Sequence, residues 1–276
     1  MELVVLVWLG ALAAGLLGSL TGLGGGVVIV PMLSLAFGVD IRYAMGASLI
    51  SVIATSSGAA AAYVREGFSN IRIGMFLEIA TAAGAIVGAS LALRLPASRI
   101  AIVFGAVLLI SAVLSSVKPP TDASLAGKPD RLAGILNMDS SYPTADGQRS
   151  YRVRHIPGGF GAMFGAGILS GLLGIGSGAF KVLAMDHVMR IPFKVSTTTS
   201  NFMIGVTAAA SAGVYLRAGF IVPGLAMPVI LGTLLGSAAG THVLLKTKTQ
   251  WLRMVFYVVI AVLGAEMIYG GWTGKF

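Results

Sequence analysis

Two glycine-rich stretches interrupt strongly apolar segments of this chain. The first, "GLGGG", covers Gly22–Gly26, and the second, "GIGSG", covers Gly174–Gly178. Glycine inside an element is destabilising, so a bare backbone must be required there. Free amides at such a turn, with the positive end of a following helix dipole, can bind an anion, although close helix packing also favours small residues. The candidate anion contacts in these stretches are Gly24, Gly25, Gly26, Gly176, Ser177 and Gly178.

Polar side chains at helical spacing form a second set of candidates. Ser48 and Thr55 are seven residues apart in one apolar segment, and Ser200 and Thr207 repeat that spacing in another, where Asn201 adds an amide. A spacing of seven places both hydroxyls of a pair on one helix face, where they can replace the water around an oxyanion. The alternative is a hydrogen bond from each hydroxyl to the carbonyl four residues earlier, without any contact to a substrate.

Three charged residues lie within apolar segments. Lys181 follows the second glycine stretch by one turn and is far from any segment end. A cation inside a membrane is costly and usually functional, unless its side chain extends to water at the membrane surface. We expect Lys181 to contact the anion. Glu78 and Glu266 lie within two turns of a segment end and are candidates for proton coupling or for cation transport.

The composition indicates a membrane protein. Hydrophobic residues make up 56% of the 276 residues and charged residues only 11%, whereas a soluble domain has about 25% charged residues. Apolar runs long enough for a transmembrane helix, about 17–25 residues, recur along the chain. The net charge of +9 comes from basic residues at the ends of these runs, which encodes topology rather than binding to nucleic acid. The predicted fold is an all-α polytopic membrane protein.

The sequence contains none of the usual enzymatic motifs. The three histidines are far apart, and no cysteine is present to serve as nucleophile, thiolate ligand or disulfide partner. The glycines do not have the spacing of a dinucleotide-binding fingerprint, and no phosphate-binding loop with its Lys-Ser/Thr pair occurs. We therefore expect no catalytic activity, no metal and no cofactor.

An internal repeat divides the chain. At an offset of 152 residues the two glycine stretches align, and "YVREGF" aligns with "YLRAGF". Self-similarity at a fixed offset indicates duplicated structural units. We predict a first membrane repeat over 1–117, a linker loop over 118–157 and a second membrane repeat over 158–276.

Each repeat contains five apolar segments, and the second of them is too short to cross a bilayer. These short segments, at about 27–37 and 179–190, would form hairpins with the segments before them and leave each repeat an odd number of crossings. The repeats would then have inverted topology. In this topology, the side of the membrane that carries segment 118–157 has more than twice as many basic residues as the other side. This bias predicts an inner-membrane protein whose central segment is cytoplasmic and whose termini are both outside. A short hairpin is expected around "SYPTADGQRSYRV".

Three motifs resemble the sulfite exporter TauE/SafE family of membrane permeases. They are "SLTGLGGGVVIVPML", "GLLGIGSGAFKVLAM" and "STTTSNFMIGVTAAASAGVYLRAGFI", and the likeness extends over nearly the whole chain. The resemblance implies a transporter of small sulfur-containing anions such as sulfite, sulfonates or sulfoacetate. Two residues depart from the family pattern: Ser177 replaces a third glycine, and Leu183 replaces a frequent proline.

Together these observations predict a permease with two inverted repeats and interrupted helices, which moves a small sulfur-containing anion by alternating access. Its expected partners are that anion, the lipid bilayer and a proton or another ion as the coupling species, and a homo-oligomer is left open. The alternative is a non-transporting membrane scaffold or accessory subunit, in which the glycines serve packing alone.

Overall fold

The computed structural model describes residues 2–21, 25–65, 69–116, 130–144, 147–246 and 249–276, and most of them are helical. In the first half the helices are α1 (Glu2–Thr21), α2 (Gly26–Pro31), α3 (Ile41–Arg65), α4 (Ile71–Ala92) and α5 (Ala97–Ser116). In the second half they are α7 (Ile156–Leu173), α8 (Gly178–Leu183), α9 (Phe193–Arg217), α10 (Pro223–Lys246) and α11 (Thr249–Trp272). Each short helix continues into a π-helical turn, over Met32–Ala36 and Ala184–Val188.

The two halves have the same sequence of elements. The short second helices and their π turns begin 152 residues apart, at Gly26 and Gly178, and so do the first residues of α3 and α9. The contacts follow the same relation: α1 packs on α10 and α4 packs on α7, while α3 packs on α9 and α5 packs on α11. The inverted orientation of the halves relative to a membrane stays a prediction.

The outer surface of the bundle is that of a membrane protein. Within the described part of the chain, three helices are long and apolar enough to cross a bilayer, over Ile71–Ala92, Ile156–Leu173 and Pro223–Gly240. Large apolar side chains point outward from them, among them Ile79 at 65% exposure and Met227 at 60%. Helices α3 and α9, which carry the hydroxyl residues, pack on each other.

Glycines set the distance between α4 and α7. A Cβ added at Gly84 or Gly88 would collide with the carbonyl oxygen of Phe164 or Ile168, and one added at Gly171 would collide with that of Ala85. Small residues spaced four apart let two membrane helices approach to backbone contact. Gly84-xxx-Gly88 is therefore a packing motif.

The described part of the central segment, residues 130–144 and 147–157, contains secondary structure. It contains a short helix, α6 (Arg131–Ile135), that the sequence did not predict, and the expected hairpin of β1 (Ser140–Thr144) and β2 (Gly147–Tyr151). The strands pair antiparallel, with Ser140 opposite Tyr151.

Asn70 attaches this segment to the start of α4. Its side-chain oxygen accepts from the Ile73 amide at 3.1 Å and caps the helix, while its Nδ2 donates to the Tyr151 hydroxyl at 2.8 Å. Its main-chain N–H donates to Thr199 Oγ1 on α9 at 3.1 Å. One residue thus links the hairpin, α4 and α9.

Candidate functional site

The second glycine turn has a left-handed backbone, which its glycines adopt readily and Ser177 does not. Gly174 ends α7 with φ +68°, and its amide donates to the Ser170 carbonyl at 2.8 Å. Gly176 has φ +72°, and Ser177, the N-cap of α8, has φ +47°. Only glycine enters this left-handed region without a steric penalty. Ser177 therefore carries local strain where the family pattern has a glycine.

The two serines at equivalent positions of α3 and α9 hold this turn between them. Ser48 Oγ donates to the Gly174 carbonyl at 2.8 Å, and Ser200 Oγ donates to the Gly178 carbonyl at 3.2 Å. Both serines are buried. A hydroxyl has a single proton to donate, so in this conformation both protons fix the turn.

The first turn is described only from Gly25 onward, and Gly24 lies outside the described residues. Gly25 is helical at φ −64°, and its carbonyl accepts from the amides of Val28 and Ile29, both at 3.1 Å. A Cβ at Gly26 would lie 2.7 Å from Ser48 Oγ, so Gly26 is needed for the close approach of α2 to α3.

Lys181 is the centre of a polar cluster made by three helices. Its side chain has 0% exposure, and its Nζ on α8 donates to Thr207 Oγ1 on α9. Thr207 Oγ1 lies 2.6 Å from Glu78 Oε1 on α4 and 2.9 Å from the Met203 carbonyl. Glu78 is 8% exposed and interacts electrostatically with Lys181. The cluster therefore pairs the buried cation with a buried carboxylate through one hydroxyl.

Several polar atoms of this region have unused hydrogen-bonding capacity. Among the residues that the structure describes, Thr207 is the acceptor for Lys181, so two of the three ammonium N–H groups have no protein acceptor. Glu78 Oε2 and Ser177 Oγ are buried without a partner in the same described part. Lys181 N donates to the Ser177 carbonyl at 3.2 Å, which places these two residues one helical turn apart on one face.

Thr55, Asn201 and Glu266 make no hydrogen bond to Lys181, Thr207 or Glu78 among the described residues. Thr55 is half-buried and donates to the Ser51 carbonyl of its own helix at 3.0 Å, which is the alternative that its spacing allowed. Asn201 is half-buried beside Ser200 on α9, and Glu266 is exposed on α11. Of the two acidic candidates, only Glu78 joins the Lys181 cluster.

Comparison with known proteins identifies the family. The family model described as Sulfite exporter TauE/SafE matches residues 7–267. The chain belongs to the sulfite exporter TauE/SafE family. The probable membrane transporter protein YunE of Bacillus subtilis (strain 168) is 29% identical over 281 residues, which cover 98% of this chain and 99% of that protein. The probable membrane transporter protein YdhB of the same organism is 24% identical and covers 92% of this chain and 96% of its own length. No solved structure matches the chain significantly.

Membership of the TauE/SafE family confirms the resemblance seen in the glycine motifs. The match covers both halves and the central segment. Together with the apolar outer surface, it makes the chain a membrane transporter, so the Lys181 cluster lies in the interior of a transport protein.

Proposed function

We propose that this protein is a permease that moves a small sulfur-containing anion, such as sulfite or a sulfonate, across the inner membrane by alternating access. The observation that carries the proposal is Lys181, a fully buried cation with two N–H groups that have no acceptor among the described residues. A charged group at such depth is rare and usually serves the transported ligand.

The free donors around α8 suit an oxyanion. A sulfite or sulfonate group has three oxygens that accept hydrogen bonds. Lys181 and Ser177, whose hydroxyl has no partner within the described part of the chain, lie on one face of α8. In the proposed complex, the backbone of Gly176 and Gly178 and the Asn201 amide complete the shell around the anion, while Thr207 positions the Lys181 ammonium group. Bonds from charged donors to an oxyanion are stronger than neutral ones.

Ser48 and Ser200 have a positioning role in this proposal. Because they hold the turn from α3 and α9, movement of one half against the other would stretch the bond from Ser48 to Gly174, which joins the two halves. Release of that hydroxyl would supply a donor to the anion as the site opens. Thr55 and the first turn, through Gly24, Gly25 and Gly26, would line the path from the other half.

The direct test is transport by the purified protein in liposomes. We expect saturable uptake of ³⁵S-labelled sulfite, measured near pH 8 to limit passage of uncharged SO₂, with competition by an organosulfonate or by sulfate. Empty liposomes are the control. Absence of flux for every sulfur anion under both proton and voltage gradients would contradict the proposal, and co-purification with another membrane protein would then favour an accessory subunit.

We further propose that the repeats are inverted, with the central segment in the cytoplasm and both termini outside. The basic residues around the central segment support this orientation. Because the chain has no cysteine, single cysteines report their side cleanly. We expect a membrane-impermeant maleimide to label Thr273→Cys in intact spheroplasts and to label Gln148→Cys only after lysis. The reverse pattern would overturn the orientation, and labelling of both in intact spheroplasts would overturn the inverted arrangement.

A further inference from the structure

Among the described residues, Glu78 is the carboxylate that joins the Lys181 cluster, through Thr207. We infer that Glu78 takes up a proton when the anion binds beside Lys181, so that the protein carries the anion and a proton together. This inference rests on the proposed function, since it requires an anion at Lys181.

Charge balance in the buried cluster supports proton uptake. With Lys181 protonated and Glu78 ionised, the cluster is neutral, and the ammonium is already compensated through Thr207. A bound monoanion would leave one uncompensated negative charge in a site where Lys181 is fully buried. An unpaired buried charge is costly, and a buried group neutralises in preference to remaining charged alone. One proton on Glu78 restores neutrality.

The hydrogen bonds around Thr207 allow this change without moving the backbone. When Glu78 is ionised, Thr207 donates to Oε1 at 2.6 Å and accepts from Lys181. When Glu78 is protonated, its carboxyl donates to Thr207, whose own proton turns to the Met203 carbonyl at 2.9 Å. The second carboxyl oxygen, Oε2, has no partner in the described part of the chain and can carry the proton as well.

Other titratable groups are poorly placed to serve instead. Helix α7, which packs on α4, contains none. The titratable residues of α9, and those of α4 other than Glu78, lie near the helix ends. In the π turn after α8, Asp186 Oδ2 lies 3.6 Å from His187 Nδ1, so these two groups face each other. The groups near the helix ends are Lys194, Tyr215, Arg217 and Arg72.

The test counts protons taken up per bound anion. Sulfite binding to the detergent-solubilised protein is measured by titration calorimetry in two buffers of different ionisation enthalpy, for the wild type, Glu78→Gln and Glu266→Gln. Glu266 is the matched control because it is an exposed glutamate on α11. The protonation of sulfite itself is common to all three proteins and cancels in their difference.

We expect the wild type and Glu266→Gln to take up about one proton more per sulfite than Glu78→Gln. By linkage, the dissociation constant of the wild type should rise an additional tenfold per pH unit where free Glu78 is ionised, while Glu78→Gln lacks this increment. Equal proton counts in the wild type and Glu78→Gln would overturn the inference alone. If Glu78→Gln does not fold, the wild type alone still tests the inference. It would be overturned if the protonation of sulfite itself accounted for all the protons that the wild type takes up. Absence of sulfite binding in the wild type would overturn the proposed function and this inference with it.

Discussion

Replacing Lys181 with methionine should abolish saturable sulfite flux, with a loss of at least about 100-fold. Two charge-assisted hydrogen bonds to the anion would disappear, and bonds of this kind contribute about 1.5–3 kcal/mol each. Since a tenfold change corresponds to about 1.4 kcal/mol, the loss of two such bonds exceeds 100-fold. The measurement is initial uptake of labelled sulfite into liposomes with equal amounts of reconstituted protein.

The single substitution also leaves Glu78 buried without its cation. Removing one partner of a buried ion pair costs about 3–5 kcal/mol, so Lys181→Met alone should melt at a lower temperature in detergent. The double variant Lys181→Met/Glu78→Gln removes both charges and should recover most of this stability. A double variant that folds like the wild type but transports nothing would separate the role of Lys181 in transport from its role in folding. Wild-type flux from the double variant would remove Lys181 from the site.

The sequence was sufficient to predict the helices of the two repeats because these helices depend on local signals. Long runs of apolar residues predicted the long helices. The short apolar segments after the glycine stretches predicted α2 and α8, which together with their π turns cover 26–36 and 178–188. The left-handed conformation of Gly174 and Gly176 follows from the same glycines.

The contacts of the site were not predictable in the same way, because they join residues far apart in the chain. Thr207 and Glu78 are 129 residues apart, and Ser48 and Gly174 are 126 apart. No periodicity indicates such pairs. One signal was available: a lone buried lysine in an apolar segment requires a compensating charge, and Glu78 was one of two acidic residues that could provide it. The helix α6 was missed because its five residues are too few to show a period.

The contact between α4 and α7 links packing to the site. Helix α4 carries Glu78, and α7 leads directly into the turn that precedes Lys181. A Cβ at Gly171 would collide with the Ala85 carbonyl oxygen and lie 2.8 Å from Ala89 N, both main-chain atoms of α4. Because backbone cannot move aside as a flexible side chain can, the helices must separate, and with them the partners of the Lys181 cluster.

Gly171→Ala should therefore lower both the melting temperature and the sulfite flux. Overpacking costs about 1–3 kcal/mol, and a collision with backbone belongs at the upper end of that range. Gly165→Ala is the matched control, since it lies on the same helix and its added Cβ meets nothing within 4 Å. We expect Gly165→Ala to melt and transport like the wild type. Equal melting temperatures for the two variants would contradict the close packing of α4 on α7. A destabilised Gly171→Ala with full flux would show that transport does not depend on the spacing of α4 and α7.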